Sequence, residues 1–551
     1  MTGPLIVQSD RTVLLETAHA EAAECRAALA RFAELERSPE HFHTYRITPL
    51  SLWNARAAGL TAQEMVASLQ RFSRYPVPQP VTAEIAEQAA RYGRLRLELD
   101  EIGRLVLTSA DQAVLEEVMR ASGVDALVGQ RLGPRMCEVA AHARGRLKQA
   151  LIKLGWPAED LAGYTAGLPL DLQLRNVELR DYQVAAVDAF WAAGGPAGGS
   201  GVLVLPCGAC KTLVGIGAIA RAQTSTLVLV TSIVAAHQWA AELFRFSSLE
   251  PGQVGEYSGE WKSIRPVTIA TYQVMTRRRD GEFPHLELFS REDWGLVIYD
   301  EVHLLPAPVF RMTAEIQSKR RLGLTATLVR EDGCEDDVFS LIGPKRYDAP
   351  WLALEDKGWI AQALCCEVRT TLSANLRMAY AVAETQDKYR IAATNPRKLP
   401  LLQALCRRHA RDRVLVIGQY VDQLREIADT LGAPLVTGRT STAERETLYA
   451  RFRSGEIRLL VVSKVANFSI DLPEANVAIQ VSGTFGSRQE EAQRLGRVLR
   501  PKANGGPAHF YTLVTRETKD QDYALHRQLF LAEQGYRYEI LDESEVSETA
   551  A

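Results

Sequence analysis

The strongest structural signal in this sequence is an alternation of strand-like and helix-like segments that begins at about Val177 and continues almost to the C-terminus. Short apolar runs rich in β-branched residues alternate with longer amphipathic segments, which is typical of a parallel sheet flanked by helices. A polar stretch separates two such series, so we predict two doubly wound α/β domains in tandem. The predicted strands are VLVLP, TLVLVT, VTIAT, LVIYD and LGLTAT in the first series, and VLVIG, PLVTG, LLVVS, VAIQVS and HFYTLVT in the second.

The chain before this alternation mixes helix and strand patterns, and it predicts two small α+β modules divided at a proline-rich run, YPVPQP. A proline series favours an extended linker. The acidic, apolar-poor C-terminus predicts a disordered tail. The predicted boundaries are 1–78 and 79–172 for the two modules, 173–350 and 351–540 for the sheet domains, about 366–398 for a small helical insertion, and 541–551 for the tail.

Two helices in the second series have a predicted start, because each begins with the Ser-x-x-Glu pattern of a capping box. The pairs are Ser441 with Glu444 and Ser487 with Glu490. Both would follow strands, as a doubly wound domain requires.

Composition limits the classes of protein that this chain can belong to. The 551 residues are 46% hydrophobic, and 64 Lys and Arg against 67 Asp and Glu give a net charge of -3. No run reaches the roughly 18 uninterrupted apolar residues of a membrane span, so we expect no membrane association and a cytoplasmic location. A nucleic-acid footprint would have to be a local basic patch, because the whole chain has no positive excess.

The segment GVLVLPCGACKT at 201–212 places a strand, a tight loop and a helix start in succession. In a phosphate-binding loop the backbone N–H groups hold the phosphates, the lysine neutralises their charge, and the hydroxyl holds Mg²⁺. Lys211 and Thr212 stand at the positions for those two tasks. Cys210 stands where such loops have glycine, at a point where a positive φ would strain a residue with a Cβ. Taken alone, the loop fits a phosphate site and an ordinary strand-to-helix turn about equally.

A second segment, WGLVIYDEVH at 294–303, ends an apolar strand on acidic residues. Asp300 and Glu301 would lie at a strand's carboxyl end, where ligands of open α/β sheets bind. One carboxylate would hold Mg²⁺ and the other would polarise water. The order of the two segments, strand-loop-Lys-Thr and then strand-Asp-Glu, favours a nucleotide site over solvated loop acids.

A third segment, RQEEAQRLGRVLR at 488–500, predicts a helix with Arg497 and Arg500 on one face, near Gln493. Arginines brought to a phosphate site stabilise charge on the γ-phosphate during phosphoryl transfer. The position of this helix in the second domain favours that function over a solvated face.

Together these segments resemble the ordered motifs of superfamily two helicases, and within that superfamily the XPB family in its bacterial form. The shared segments are LRDYQ at 179–183, LPCGACKT at 205–212, DEVH at 300–303, LTAT at 324–327, REDG at 330–333, SKVANFSIDLPEAN at 463–476, QRLGRVLR at 493–500 and RQLFLAEQGY at 527–536. The match spans almost the whole chain. It implies two RecA-like domains, with the early modules resembling the family's N-terminal domain and a DNA-sensing domain.

The resemblance also implies a function and a site. The chain would be an ATP-dependent DNA helicase that moves 3′ to 5′ and opens duplex DNA in nucleotide excision repair, with ATP and Mg²⁺ as cofactors. Single-stranded and forked DNA would be its partners, with a nuclease as in archaeal relatives, and it would act as a monomer.

Each family role falls on residues that match a motif. The implied ATP-binding residues are Arg180, Gln183, Cys207, Gly208, Ala209, Cys210, Lys211 and Thr212, with Thr212 and Asp300 on Mg²⁺. The implied catalytic residues are Lys211, Asp300, Glu301, His303, Gln493, Arg497 and Arg500. Thr325, Ala326 and Thr327 would couple ATP state to domain movement, and the implied DNA-contacting or DNA-opening residues are Thr231, Ser232, Thr271, Tyr272, Gln273, Arg330, Glu331, Asp332, Ser463 and Lys464.

Cys210 departs from the family pattern, and it leaves a rival function open. A chain whose nucleotide site is impaired by Cys210 would act as a DNA-binding scaffold rather than by turnover. An RNA helicase is a further alternative, which the REDG segment and the N-terminal resemblance disfavour.

Overall fold

In the part of the chain that the computed structural model describes, there are four sheets in two compact units. The first unit holds the described residues up to Ala349, and the second holds those from Trp351 onward together with residues 37–38, 206, 208 and 209. No helix among the described residues is both long and apolar enough to cross a membrane. The described residues are 3–38, 41–206, 208–280, 283–317, 319–326, 335–349, 351–463, 475–483, 506–534, 536 and 538–548.

The first module of the first unit has a four-stranded sheet, ordered β1-β2-β4-β3, with helices packed beside it. Its last helix begins inside the proline-rich run, since Pro80 occupies the first turn, where a missing N–H costs no helical hydrogen bond. Glu84 on that helix pairs with Arg11 at 2.6 Å. The run therefore leads into a helix that packs on the first module. The elements are β1 Leu5–Val7, β2 Thr12–Glu16, α1 Ala22–Leu29, β3 Glu34–Arg37, β4 Phe42–Arg46, α2 Pro49–Ala57, α3 Ala62–Phe72 and α4 Gln79–Arg91.

The second module has a five-stranded sheet, ordered β7-β8-β6-β5-β9. Its core is aliphatic and includes Leu97, Leu107, Leu115 and Leu147, all without exposed surface. The elements are β5 Leu95–Leu99, β6 Leu105–Ser109, α5 Gln112–Arg120, β7 Val128–Gly133, β8 Met136–Val139, α6 Arg144–Lys153 and β9 Ala158–Asp160.

The third sheet of the first unit has seven parallel strands, ordered β12-β13-β11-β14-β15-β10-β16. All five strands that the apolar runs predict are present, and the structure adds β12 and β16 at the two edges. Edge strands bury less surface, so their sequences, VGEY and KRYD, lack a continuous apolar run. The strands are β10 Ser200–Val204, β11 Thr226–Val230, β12 Val254–Tyr257, β13 Val267–Thr271, β14 Leu296–Asp300, β15 Arg320–Thr325 and β16 Lys345–Asp348.

The helices of this domain connect strands that run in the same direction, as a doubly wound sheet requires. Helix α9 is the longest of them, and Ser232 caps it by accepting a hydrogen bond from the N–H of Ala235 at 3.1 Å. The helices are α7 Asp181–Trp191, α8 Lys211–Ala222, α9 Ile233–Phe246, α10 Tyr272–Met275, α11 Leu288–Arg291, α12 Ala307–Glu315 and α13 Glu335–Leu341.

The second unit also has a sheet of seven parallel strands, ordered β19-β20-β18-β21-β22-β17-β23. The five strands that the sequence predicts are present, so the expected pair of RecA-like domains is confirmed. The strands are β17 Ala363–Thr370, β18 Val414–Gly418, β19 Leu435–Val436, β20 Leu459–Ser463, β21 Val477–Gln480, β22 Ala508–Thr515 and β23 Tyr538–Asp542. The helices are α14 Trp351–Asp356, α15 Ala374–Val382, α16 Thr385–Ala393, α17 Lys398–Arg408, α18 Val421–Leu431, α19 Thr442–Arg453, α20 Lys519–Glu533 and α21 Glu543–Glu548.

Strand β17 was not among the predicted strands, because charged residues interrupt its apolar pattern. Glu367 is nevertheless 1% exposed, since it pairs with Arg369 and accepts a hydrogen bond from Gln528 at 2.6 Å. A buried charge is tolerated when it is paired in this way. The helices of the predicted insertion, α15 and α16, follow this strand.

The C-terminal segment forms regular structure where we expected a disordered tail. Strand β23 continues to Asp542, and helix α21 follows it. Val546 on that helix is 3% exposed and packs into the core of the second sheet domain, which explains how an acidic segment is held. The predicted cap at Ser441 is confirmed, because its hydroxyl accepts from the N–H of Glu444 at 3.3 Å. The predicted start at Ser487 lies outside the described residues.

A buried ion cluster in the second module provides a stability test. Arg144 and Lys148 both contact Asp160, at 2.6 and 2.9 Å, and all three side chains are at most 10% exposed. Burial, with Arg321 and Arg144 nearby, lowers the pKa of Lys148 to about 7 although Asp160 opposes the shift. We expect Asp160→Asn to lower the free energy of unfolding by about 3 kcal/mol or more, because it leaves two buried cations without a counter-ion.

Chemical denaturation at two pH values checks this prediction. The decrease in the unfolding free energy of Asp160→Asn should be larger at pH 6 than at pH 9, because Lys148 can release its proton at the higher pH. Glu24→Ala is the matched control, since it removes an exposed pair with Arg71 in the same unit and should cost under about 1 kcal/mol. Equal losses in the two variants would contradict the account of the cluster.

Candidate nucleotide site

The candidate site lies at one edge of the first parallel sheet. Strands β14, β15 and β10 are neighbours and run in the same direction, so their carboxyl ends meet at that edge. Residues that follow these strands include Lys211, Glu301 and Ala326. The topology therefore brings together three segments that are far apart in the sequence.

The central contact is an ion pair between the loop lysine and the second carboxylate. Lys211 Nζ lies 2.9 Å from Glu301 Oε1, and the two side chains are 13% and 18% exposed. Glu301 has φ 51°, a left-handed conformation that directs the chain from β14 into a short 3-10 helix at Val302–Leu304. Non-glycine residues seldom adopt this conformation, because the Cβ is crowded by the backbone.

Asp300 is held by three hydrogen bonds from different elements. The indole of Trp239 donates to Oδ2 at 2.9 Å, and the N–H of Glu301 donates to Oδ1 at 3.1 Å. The hydroxyl of Tyr272 donates to the backbone oxygen of Asp300 at 3.0 Å. These bonds fix the orientation of the carboxylate, and each of its oxygens retains a further acceptor position.

His303 and the segment after β15 join the same cluster. His303 is 4% exposed, and its Nδ1 lies 2.8 Å from the hydroxyl of Thr325 and 3.5 Å from Glu301 Oε2. The N–H of Ala326 donates a hydrogen bond to the Glu301 carboxylate. A continuous set of polar contacts therefore connects Lys211, through Glu301, to the carboxyl end of β15.

The two carboxyl groups differ in their tendency to ionise. Burial and the charge of Glu301 raise the pKa of Asp300, although Lys211 and the Trp239 indole oppose the shift. Burial also acts to raise the pKa of Glu301, but Lys211, His303 and the Ala326 N–H outweigh it, so that pKa is lowered. One lysine therefore interacts with two adjacent, partly buried carboxyl groups.

This donor set fits a magnesium nucleotide. A site with more buried negative than positive charge favours a cation, and Mg²⁺ prefers oxygen ligands such as the Asp300 carboxylate and the Thr212 hydroxyl. Phosphates would find Lys211 and the first N–H groups of α8.

The proposed adenine residues lie at the start of α7. The N–H of Arg180 donates to Gln183 Oε1 at 2.9 Å, and Gln183 is 1% exposed. Tyr182 is hydrogen-bonded to the Arg180 side chain, and burial together with nearby Cys210 raises its pKa to about 12. The start of α7 therefore lies close enough to the end of the phosphate loop for Cys210 to influence the ionisation of Tyr182.

Cys210 adopts the positive φ that the sequence analysis identified as a source of strain at this position of the loop. It has φ 53° and ψ 56°, immediately before α8, and its side chain is exposed. Gly208 in the same loop has φ 87°. The loop therefore turns into the helix through a left-handed residue that carries a Cβ.

In the first unit, the residues predicted to contact the DNA strand lie in two segments, at the carboxyl ends of the neighbouring strands β11 and β13. Gln273 is exposed, and its amide donates to the backbone oxygen of Thr231. Thr271 and Tyr272 are 2% and 5% exposed, so neither offers a side chain on the surface for a DNA strand. In the second unit, Ser463 ends β20 and is 3% exposed.

Trp239 is the main contributor that the sequence analysis missed. It lies 61 residues before Asp300 on a different element, so no local motif connects the two. A buried tryptophan in an amphipathic helix is usually a core residue. Several predicted residues lie outside the described part of the chain and keep the status of predictions, namely Cys207, Thr327, Arg330, Glu331, Asp332, Lys464, Gln493, Arg497 and Arg500.

Comparison with known proteins identifies the family. Three family models match this chain: ERCC3/RAD25/XPB C-terminal helicase at residues 354–551, helicase conserved C-terminal domain at 5–133, and type III restriction enzyme, res subunit, at 176–330. A protein of Kineococcus radiotolerans named DNA 3′-5′ helicase XPB is 61% identical, covering 99% of this chain and 97% of its own length. The protein of that name from Mycobacterium tuberculosis is also 61% identical, covering 98% of each chain.

The chain belongs to the XPB family of helicases. Among solved structures, a fragment of a putative HsdR subunit of a type I restriction enzyme from Vibrio vulnificus matches with a TM-score of 0.50 and 18% identity. It covers 67% of this chain and 70% of that one. At this identity the likeness concerns the fold alone, and it agrees with the two parallel sheets.

The left-handed conformation of Cys210 leads to a prediction. Cys210→Gly should raise the free energy of unfolding by about 1 kcal/mol, because glycine adopts positive φ without a Cβ clash. Cys210→Ala is the control, since it removes the thiol but retains the Cβ, and it should match the parent. Denaturant titration of the three proteins distinguishes these outcomes, and a glycine variant no more stable than the alanine variant would contradict the assignment of strain.

Proposed function

We propose that this chain is an ATP-dependent DNA helicase that moves 3′ to 5′ and separates strands in excision-type DNA repair, with Mg²⁺ as its metal. The observation that supports the ATP-dependent step is the cluster of Lys211, Glu301 and Asp300 at one sheet edge, with an ion pair of 2.9 Å at its centre. Membership of the XPB family supports DNA as the substrate and the direction of movement, since its relatives are named DNA 3′-5′ helicases.

The residues of the phosphate loop bind and orient the nucleotide. Lys211 neutralises charge on the β- and γ-phosphates, and the N–H groups at the start of α8 donate to phosphate oxygens. Asp300 and Thr212 would hold Mg²⁺, which supplies positive charge against the phosphates. Arg180 and Gln183, joined by a hydrogen bond of 2.9 Å, would border the adenine.

Glu301 is proposed to orient the attacking water and accept its proton. Its carboxylate is ionised at neutral pH, and transfer of the Lys211 ammonium to phosphate would remove the largest effect that lowers its pKa and so strengthen it as a base. A phosphate in the loop would compete for the Lys211 ammonium and so leave one Glu301 oxygen for water. The N–H of Ala326 holds the carboxylate in place during this exchange.

His303 and Thr325 are proposed to transmit the state of the nucleotide. Their contact of 2.8 Å lies next to Glu301, so a change in the Glu301 partner alters a buried polar pair at the end of β15. Closure and reopening of the motor domains would follow from such a change.

The scaffold alternative is weakened by the geometry of the phosphate loop. The chain reaches the start of α8 with Cys210 in the left-handed conformation, and Lys211 still contacts Glu301. A cysteine is therefore compatible with the loop shape at a modest energetic cost. No observation favours RNA over DNA.

Several finer proposals rest on the family resemblance. We propose the domain limits given above, except that α4 belongs with the first module and that the second sheet domain continues through β23 and the C-terminal helix. We also propose Arg497 and Arg500 as arginine fingers and Arg330 to Asp332 as the DNA-opening element. A nuclease partner, a monomeric state and a cytoplasmic location remain predictions of the same kind.

Two variants test the assigned roles in hydrolysis. Lys211→Ala should lower both nucleotide affinity and turnover, because it removes the cation of the phosphate site, whereas Glu301→Gln should bind nucleotide normally and lose turnover by about 100-fold or more. Steady-state hydrolysis with and without single-stranded DNA, beside equilibrium nucleotide binding, measures both properties. Lys319→Ala is the matched control, because Lys319 pairs with Asp293 at 3.3 Å before β15 begins, away from the site edge. Turnover retained in Glu301→Gln would refute its role.

A further inference from the structure

Two aromatic side chains hold Asp300, and each comes from a segment proposed to contact the DNA strand. We propose that Trp239 and Tyr272 are positioning residues: by holding Asp300 in its orientation, they couple contact with the DNA strand to the nucleotide site. This inference rests on the proposed function, since it assigns a route between two of its sites.

Trp239 connects the start of α9 to Asp300. Ser232 caps this 14-residue helix, and Trp239 lies two turns further on, 1% exposed, with its indole 2.9 Å from Asp300 Oδ2. An indole N–H can only donate a hydrogen bond, so it requires an acceptor oxygen, and Asp300 Oδ2 occupies that position. A displacement of Thr231 or Ser232 would move the indole as well, because a helix behaves as a stiff element over two turns, about 11 Å.

Trp239 also contacts the helix behind the phosphate loop. A Cβ added at Gly215 of α8 would lie 2.4 Å from the outer ring of Trp239, so only glycine leaves room for the indole. The ring is thus confined between α8 and the Asp300 carboxylate. Its orientation is therefore set by the same elements that form the nucleotide site.

Tyr272 connects the second strand-contact segment to the same residue. It follows β13 directly, is 5% exposed, and donates from its hydroxyl to the Asp300 backbone oxygen at 3.0 Å. Gln273, next in the chain, donates to the backbone oxygen of Thr231 and so joins the two segments. A DNA strand that contacts either segment would therefore affect both the Trp239 and the Tyr272 hydrogen bonds to Asp300.

The chain contains matched controls for both aromatic residues. Trp294 is also fully buried in the first unit and donates from its indole to the Leu288 backbone oxygen at 2.8 Å. Tyr299 is fully buried, with its hydroxyl 2.9 Å from that of Thr313. Neither bond involves Asp300, so loss of either tests burial and hydrogen bonding without the proposed coupling.

The experiment compares Trp239→Phe and Tyr272→Phe with Trp294→Phe and Tyr299→Phe. Each change removes one donor and keeps an aromatic ring. Two properties are measured: the Mg²⁺ concentration for half-maximal binding of a fluorescent ADP, and the stimulation of ATP hydrolysis by single-stranded DNA. We expect Trp239→Phe to raise the Mg²⁺ requirement about 10-fold, as loss of an outer-shell partner does, and to reduce DNA stimulation by a similar factor.

Tyr272→Phe should mainly reduce DNA stimulation, because its bond is to the backbone of Asp300 rather than to the carboxylate. The controls should match the parent in both measurements, with thermal melting confirming that all four variants fold. An unchanged Mg²⁺ requirement in Trp239→Phe would overturn the inference, as would equal losses in the control variants. A parent chain whose hydrolysis ignores DNA would contradict the proposed function instead, and the Mg²⁺ titration would still decide the role of Trp239.

Discussion

A parallel sheet brings the carboxyl end of every strand to the same edge, and the candidate site of this protein depends on that constraint. In the first sheet domain the neighbouring strands β14, β15 and β10 lead into Glu301, Ala326 and the phosphate loop. The strands are buried on both faces, which fixes their register and so the positions of these residues. Residues as far apart in the sequence as Lys211 and Ala326 are thereby brought to the same place, where both contact Glu301.

Charge then determines what the edge can bind. Asp300 and Glu301 are adjacent and partly buried, and Lys211 interacts with both. The excess of negative charge favours a divalent cation, and the lysine favours phosphate. The carboxylates therefore suit the metal of a magnesium nucleotide, and Lys211 suits its phosphates. The aromatic donors Trp239 and Tyr272 orient Asp300 from behind, and they connect the site to segments that the family resemblance associates with DNA.

The sequence predicted the strands of both sheet domains, and it singled out Lys211, Asp300 and Glu301, which the structure brings together, because both kinds of signal are local. The ten predicted strands are present, while β17 and α21 were missed, since Glu367 and Val546 are buried through contacts with distant residues. Trp239 was missed for the same reason. The positive φ at Cys210 could be predicted, because a phosphate-binding loop needs a left-handed residue at this position, and the structure has φ 53° there.

The central claim is that hydrolysis at this edge drives strand separation. The most direct measurement is release of a labelled strand from a DNA duplex with a single-stranded tail on either its 3′ or its 5′ side. The account predicts release from the 3′-tailed duplex with ATP and none with a non-hydrolysable analogue. Release from neither duplex, or release that does not depend on ATP hydrolysis, would contradict it.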